Sequence, residues 1–135
     1  MRTKAIAICL LGLALAACSS DKKDAEPEPN VVPTNYRQEI LDALTSALDD
    51  PTNVREASIG DPELRVAGQS QRYTVCLRYN ARDLSRQYAG PQVRIAYFYG
   101  GHLNQLIEAT AEQCGRTVYK PFPELEKLCL ASKCA

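Results

Sequence analysis

The chain has 135 residues, with 16 basic and 16 acidic side chains that cancel to a formal net charge of zero, and 45% hydrophobic types. That length suits one domain plus a tail, so a single core is expected. The balanced charge singles out no class of partner, so the chain order carries the reading.

Arg2 and Lys4 give a positive start, Ala5 to Ala14 an apolar run, and Ala16 and Ala17 small residues ahead of Cys18, the layout of an export signal. Ala5 to Ala17 is too short for a transmembrane helix, which needs roughly 20 apolar residues. A plain secretory signal ending at Ala17 would leave Cys18 an ordinary thiol. Leu15-Ala16-Ala17-Cys18 resembles the lipobox of bacterial lipoproteins. The resemblance implies that residues 1–17 are a removed signal peptide and that Cys18 becomes the first residue, with palmitate-type acyl chains on its sulfur and amino group. The expected location is the cell envelope, with the lipid anchor in a membrane. Ser19 in place of Asp after the cysteine implies transit to the periplasmic face of the outer membrane. Loss of Arg2 and Lys4 tips the remaining charge slightly acidic, and Cys9 leaves with the signal.

Residues 18–33 form the lipidated cysteine and a tether. Ser19 to Pro33 has no apolar periodicity and interleaves charges with Pro27, Pro29 and Pro33, so a disordered, partly extended segment is expected. At about 3 Å per residue it reaches roughly 45 Å from the bilayer. A single domain is expected over residues 34–135.

Its first element is a helix from about Asn35 to Asp49, where Tyr36, Ile40, Leu44 and Leu48 repeat along one face and Leu41 and Ala47 widen the stripe. Thr34 or Asn35 is the expected N-cap, with Gln38 completing a capping box and Pro51 stopping the helix. The polar face carries Glu39, Asp42, Asp49 and Asp50 against Arg37, which disfavours a membrane-surface helix.

From Val54 the pattern shifts towards period two. Val54 to Ile59 and Leu64 to Val66 are short strand candidates, broken by Gly60-Asp61-Pro62. In Arg72 to Asn80, Tyr73, Val75, Leu77 and Tyr79 alternate with Arg72, Thr74, Cys76, Arg78 and Asn80. Gln92 to Tyr99 repeats the device, with Val93, Ile95, Tyr97 and Tyr99 opposite Arg94, Ala96 and Phe98. Gly100-Gly101 is a hairpin signal, so a returning strand at His102 to Glu108 and a helical turn at Ala109 to Cys114 are expected. Pro121-Phe122-Pro123 opens a short helix bearing Leu125, Leu128 and Cys129. The expected fold class is α+β: an N-terminal helix on a three- or four-stranded antiparallel sheet, with a disulfide-pinned C-terminal arm carrying a short helix.

With Cys18 reserved for lipid, Cys76, Cys114, Cys129 and Cys134 remain. An even set in an exported chain predicts two disulfides. No pair has the C-x-x-C spacing of a zinc site, so no metal is expected. Three pairings are open; Cys76 with Cys114 and Cys129 with Cys134 is preferred. Asp50-Pro51, Val75-Cys76, Asn80-Ala81-Arg82 and Tyr88-Ala89-Gly90 together resemble a small uncharacterised domain of exported bacterial proteins. Leu77 and Arg86-Gln87 depart from that family's glycines. The resemblance implies the fold and brings no catalytic residue.

For catalysis the inventory is thin. His102 is the sole histidine and sits beside the hairpin glycines; neither G-x-S-x-G nor H-E-x-x-H occurs. The expectation is a non-catalytic protein without cofactor. Charge patterning offers a ligand: Arg65, Arg72, Arg78, Arg82, Arg86 and Arg94 lie between Leu64 and Ile107, with only Asp83 opposing them. Arg72, Arg78 and Arg94 share the parity of Cys76 if the strands pair as expected, and with Arg82, Arg86 and Tyr88 they are the candidate binding residues. Guanidinium forks suit phosphate or carboxylate groups. Two functions follow. One is an interaction or assembly module that docks an envelope protein through the tyrosine-bearing sheet or an open strand edge. The other is a module for an anionic envelope ligand, glycolipid phosphate or peptidoglycan carboxylate. Nucleic acid does not suit this compartment. The bland alternatives are arginines paired with the helix acids, and an ordinary turn over Asn80 to Gly90.

Overall fold

The computed structural model describes residues 30–128. The lipobox with Cys18, the tether up to residue 29, and Cys129 and Cys134 lie outside the described residues. Pro33 is fully buried, and Val31 lies against Gly101. Packing therefore carries the ordered domain upstream of Thr34.

Helix α1 (Tyr36–Ala47) buries Ile40 and Leu44, with Tyr36, Leu41 and Leu48 partly buried against the same core. It begins inside the chain, not at the N terminus as expected. The expected capping box is absent from it: Asn35 is the N-cap, with φ −103° and ψ 23°, and its side chain makes no capping bond. That backbone is outside the extended region that aims a cap side chain at the first turn. Gln38 instead donates to Asp42 at 2.8 Å. The helix ends earlier than Pro51 requires, because Leu48 turns extended.

Six strands follow, not three or four. They are β1 (Asp50–Ile59), β2 (Glu63–Ala67), β3 (Ser70–Arg82), β4 (Gln92–Tyr99), β5 (His102–Glu108) and β6 (Lys120–Pro121). All pairings are antiparallel; the order is β5-β4-β3-β1-β6, with β2 also on β3. Two causes account for the difference. β1 has register shifts between Asp50 and Arg55 and between Arg55 and Ser58, which break its alternation, and β6 is too short to show any. Helices α2 (Ala111–Cys114) and α3 (Pro123–Glu126) complete the chain.

Gly100 and Gly101 have φ of 57° and 83°, the pair of positive angles that a two-residue hairpin turn requires. One sheet face packs under α1 and α3. There Val75, Leu77 and Tyr79 from β3 meet Ala96 and Phe98 from β4, Ile40 and Leu44 from α1, Leu125 from α3 and Phe122 at its N-cap. Arg37 links the two helices, pairing with Glu124 at 2.8 Å and stacking over Phe122 at 5.0 Å. The fold class is thus α+β: a helix on a six-stranded antiparallel sheet.

Candidate functional site on the outer sheet face

The β3–β4 register decides what the other face presents. Cys76 pairs with Ile95 and Arg78 with Val93, so these four share the face turned away from α1. The Cys76–Cys114 disulfide anchors α2 there, with S–S 2.01 Å and Cα–Cα 5.8 Å. Cys76, Cys114 and Ile95 form a second apolar cluster with Val93, Tyr97, Ala109 and Tyr119 around it. A Thr110–Gln113 capping box starts α2. Gln113 also donates to the Tyr97 hydroxyl at 3.1 Å, and its carbonyl accepts from Arg65. The bridge pins a helical turn to the sheet; any pinning of the far C-terminal arm by Cys129 and Cys134 lies outside the described residues.

Beside this cluster stands Arg78. Its Nε donates to Ser58 Oγ at 2.9 Å, and its guanidinium stacks over Tyr119 at 4.5 Å. Burial raises the Tyr119 hydroxyl pKa, with the Arg78 charge pulling the other way. Gly60 admits the returning chain: a Cβ there would lie 2.6 Å from Thr117 Cγ2. Two adjoining grooves, of about 660 and 440 Å³, both contain Arg78, Pro91 and Tyr119. The first adds Glu56, Lys120 and Glu126 to its wall; the second adds Val93, Glu108 and Cys114. Glu56 adopts φ 53°, a left-handed conformation uncommon for a non-glycine residue, beside the second register shift of β1.

The expected arginine cluster is dispersed. Arg94 pairs with Leu77, a core-facing residue, so it lies on the opposite face from Cys76 and Arg78. There it approaches Tyr79, whose buried hydroxyl lacks a hydrogen-bond partner. Burial raises that hydroxyl's pKa, and Arg94 offsets part of the rise. Arg82 forms an ion pair with Asp50 at 2.7 Å. Arg82 and Arg94 share a 150 Å³ cleft with Asp49 and Asp83, which opposes their charge. Arg72 stacks over Tyr99 at 4.6 Å near the end of the sheet. Among the described residues the acids that the ion-paired arginines find all lie outside α1, at Glu124, Glu63 and Asp50, whereas Glu39 of α1 accepts from the Leu103 amide at 2.6 Å and faces His102 at 3.2 Å.

Arg86 and Tyr88 belong to a local turn. Asp83 Oδ1 accepts from the Ser85 amide and hydroxyl and the Gln87 amide, which lowers its pKa, the Ser85 hydroxyl being the main cause. Arg86 takes φ 63°. The Tyr88 hydroxyl donates to the Asn53 carbonyl at 2.8 Å, and Arg55 stacks on its ring at 4.2 Å. These contacts are those of an aspartate-centred turn. Sequence reasoning missed Ser58, Glu56, Pro91 and Tyr119 as neighbours of Arg78. No local spacing or motif signals them, because they reach Arg78 from three separate segments.

Among the described residues no group of three or more His, Cys, Asp or Glu side chains is placed to hold a metal ion, and no helix is long and apolar enough to cross a membrane. No family model matches the chain, and neither a curated protein nor a solved structure matches it.

Proposed function

We propose that this protein is a bacterial envelope lipoprotein, anchored through acylated Cys18 at the periplasmic face of the outer membrane. Its domain is a non-catalytic module that docks onto another envelope protein. The Leu15-Ala16-Ala17-Cys18 motif supports the anchor. The Cys76–Cys114 bridge fits an oxidising compartment.

The observation that carries the docking reading is the border strand β5. It runs from His102 to Glu108 with no strand beyond it among the described residues, and its sequence contains neither proline nor lysine, two usual protections of an exposed edge. Glu39 of α1 already takes the Leu103 amide at the start of the strand, so the stretch from Asn104 onward is the part that suits addition of a strand from a partner. Ile107 on the strand and Tyr99 at the end of the neighbouring β4, 44% and 40% exposed, provide apolar contact there. The test is photo-crosslinking in the native host from Asn104, an exposed position on β5, against Asp42 on the exposed side of α1. A discrete protein adduct from Asn104 alone is expected. No adduct at Asn104, or the same adducts from both positions, would refute docking through this edge.

A further inference from the structure

The geometry points to the Arg78 groove as a binding site for a small amphoteric ligand, one with a carboxylate close to a cationic group, such as a short peptide with a free carboxyl end and an amine. This goes beyond the docking reading and does not depend on it.

The argument starts from how Arg78 is held. Its Nε is committed to Ser58 and its plane lies on Tyr119, while neither hydrogen-bond contact nor ion pair engages its terminal nitrogens among the described residues. Such a guanidinium loses little freedom when it forks onto a carboxylate. The two grooves that meet at Arg78, about 660 and 440 Å³, are within the range of small-molecule sites, roughly 300–1,000 Å³. Pro91 and Tyr119 supply apolar wall common to both.

The wall charges then choose the ligand. Glu56 and Glu126 line the first groove. Lys120 is already paired with Asp61 at 2.6 Å. A phosphate, with a charge approaching −2 near neutral pH, would meet one uncommitted guanidinium and the two carboxylates of Glu56 and Glu126, Glu108 being paired in register with Arg94 and so on the opposite face. A single carboxylate accompanied by an ammonium satisfies both signs. Glu126 is held in place because one of its oxygens accepts from the Ala57 amide at 3.2 Å. Glu56 is placed by the positive φ at the β1 irregularity; bulges of this kind re-aim side chains, and strained non-glycine backbone concentrates at functional sites.

The experiment is calorimetric titration of the full chain in detergent with N-acetyl-Ala-Lys-Ala bearing a free carboxyl end. Parallel titrations use its C-terminal amide, its lysine-acetylated form and inorganic phosphate. The acid form is expected to bind saturably. The amide should bind at least ten-fold more weakly, the lysine-acetylated form several-fold more weakly, and phosphate should give no saturable heat. Arg78→Lys, which keeps the charge and loses the fork, should weaken the acid form about ten-fold with melting unchanged, and Glu56→Gln should weaken it only for peptides with a free lysine. Absence of saturable binding by the acid form would overturn the proposal, as would equal binding of acid and amide or unaltered binding by a folded Arg78→Lys protein. Phosphate binding tighter than the peptide would overturn the amphoteric assignment in favour of a simple anion site.

Discussion

Removing the Cys76–Cys114 bridge tests the packing account most severely. The two cysteines are 38 residues apart. In the chain-entropy treatment a loop of that size removes about 4 kcal/mol of freedom from the unfolded chain. Both side chains are buried, 3% and 5% exposed, so alanine at each position removes the sulfurs without exposing a polar atom. For a domain of this size, 1 kcal/mol corresponds to about 4–8 °C, and the double variant Cys76→Ala/Cys114→Ala should melt about 15–30 °C lower. The assay is thermal unfolding followed by far-ultraviolet circular dichroism, with Cys129 and Cys134 left as they are. The remaining ties of α2, from Arg65 to the Gln113 carbonyl and from Gln113 to Tyr97, are peripheral. They should not compensate. A fall of less than about 5 °C would refute the view that this bridge is the main constraint on the chain between β3 and α2.

Two further perturbations follow from the core and from Asp50. Phe122 is fully buried where α1, β1 and α3 meet, so Phe122→Ala should cost about 3–5 kcal/mol in denaturant unfolding; a cost below about 1 kcal/mol would contradict its place in the core. The Asp50 carboxyl is held below the usual carboxylate range, chiefly by the Thr52 hydroxyl and then by the Thr52 amide and Arg82, with burial opposing. Because its folded pKa lies below its unfolded one, its contribution is complete above the ordinary value of about 3.9 and is lost as pH falls through the depressed folded value. Thr52→Val should therefore flatten stability against pH below about 4 and lower stability at neutral pH by about 1–2 kcal/mol; an unchanged acid limb would show that the hydroxyl does not set it.

The apolar stripe of Tyr36, Ile40 and Leu44 was sufficient to place α1, and the glycines at 100 and 101 placed the β4–β5 hairpin, because each signal is local and repeats. β6 was not legible: two residues have no period, and what holds Lys120–Pro121 is pairing with β1 from far along the chain. β1 was only half legible, since its register shifts put Asn53 and Glu56 at positive φ and interrupt the alternation. The arginines show a subtler limit. Alternation correctly separated Arg78 from Leu77 within β3 and Arg94 from Ile95 within β4, but the phase between two strands is set by pairing, and a shift of one residue changes the face. Leu77 opposite Arg94 is what divides the cluster. Arg78 is held apart from the other arginines by Ser58 and Tyr119, which come to it from β1 and from the segment before β6, contacts that no spacing in the sequence records.

The claim on which the functional account rests is the lipid anchor, and mass spectrometry of the N-terminal peptide of protein purified from native membranes tests it most directly. Acylation contributes about 0.8 kcal/mol per buried CH2, and stable anchoring needs two signals. The account predicts a chain that begins at Cys18, its mass raised by at least two acyl chains, and that is lost from the membrane fraction in Cys18→Ser cells. A mature chain that begins elsewhere, or an unmodified Cys18 at the amino terminus, would contradict it.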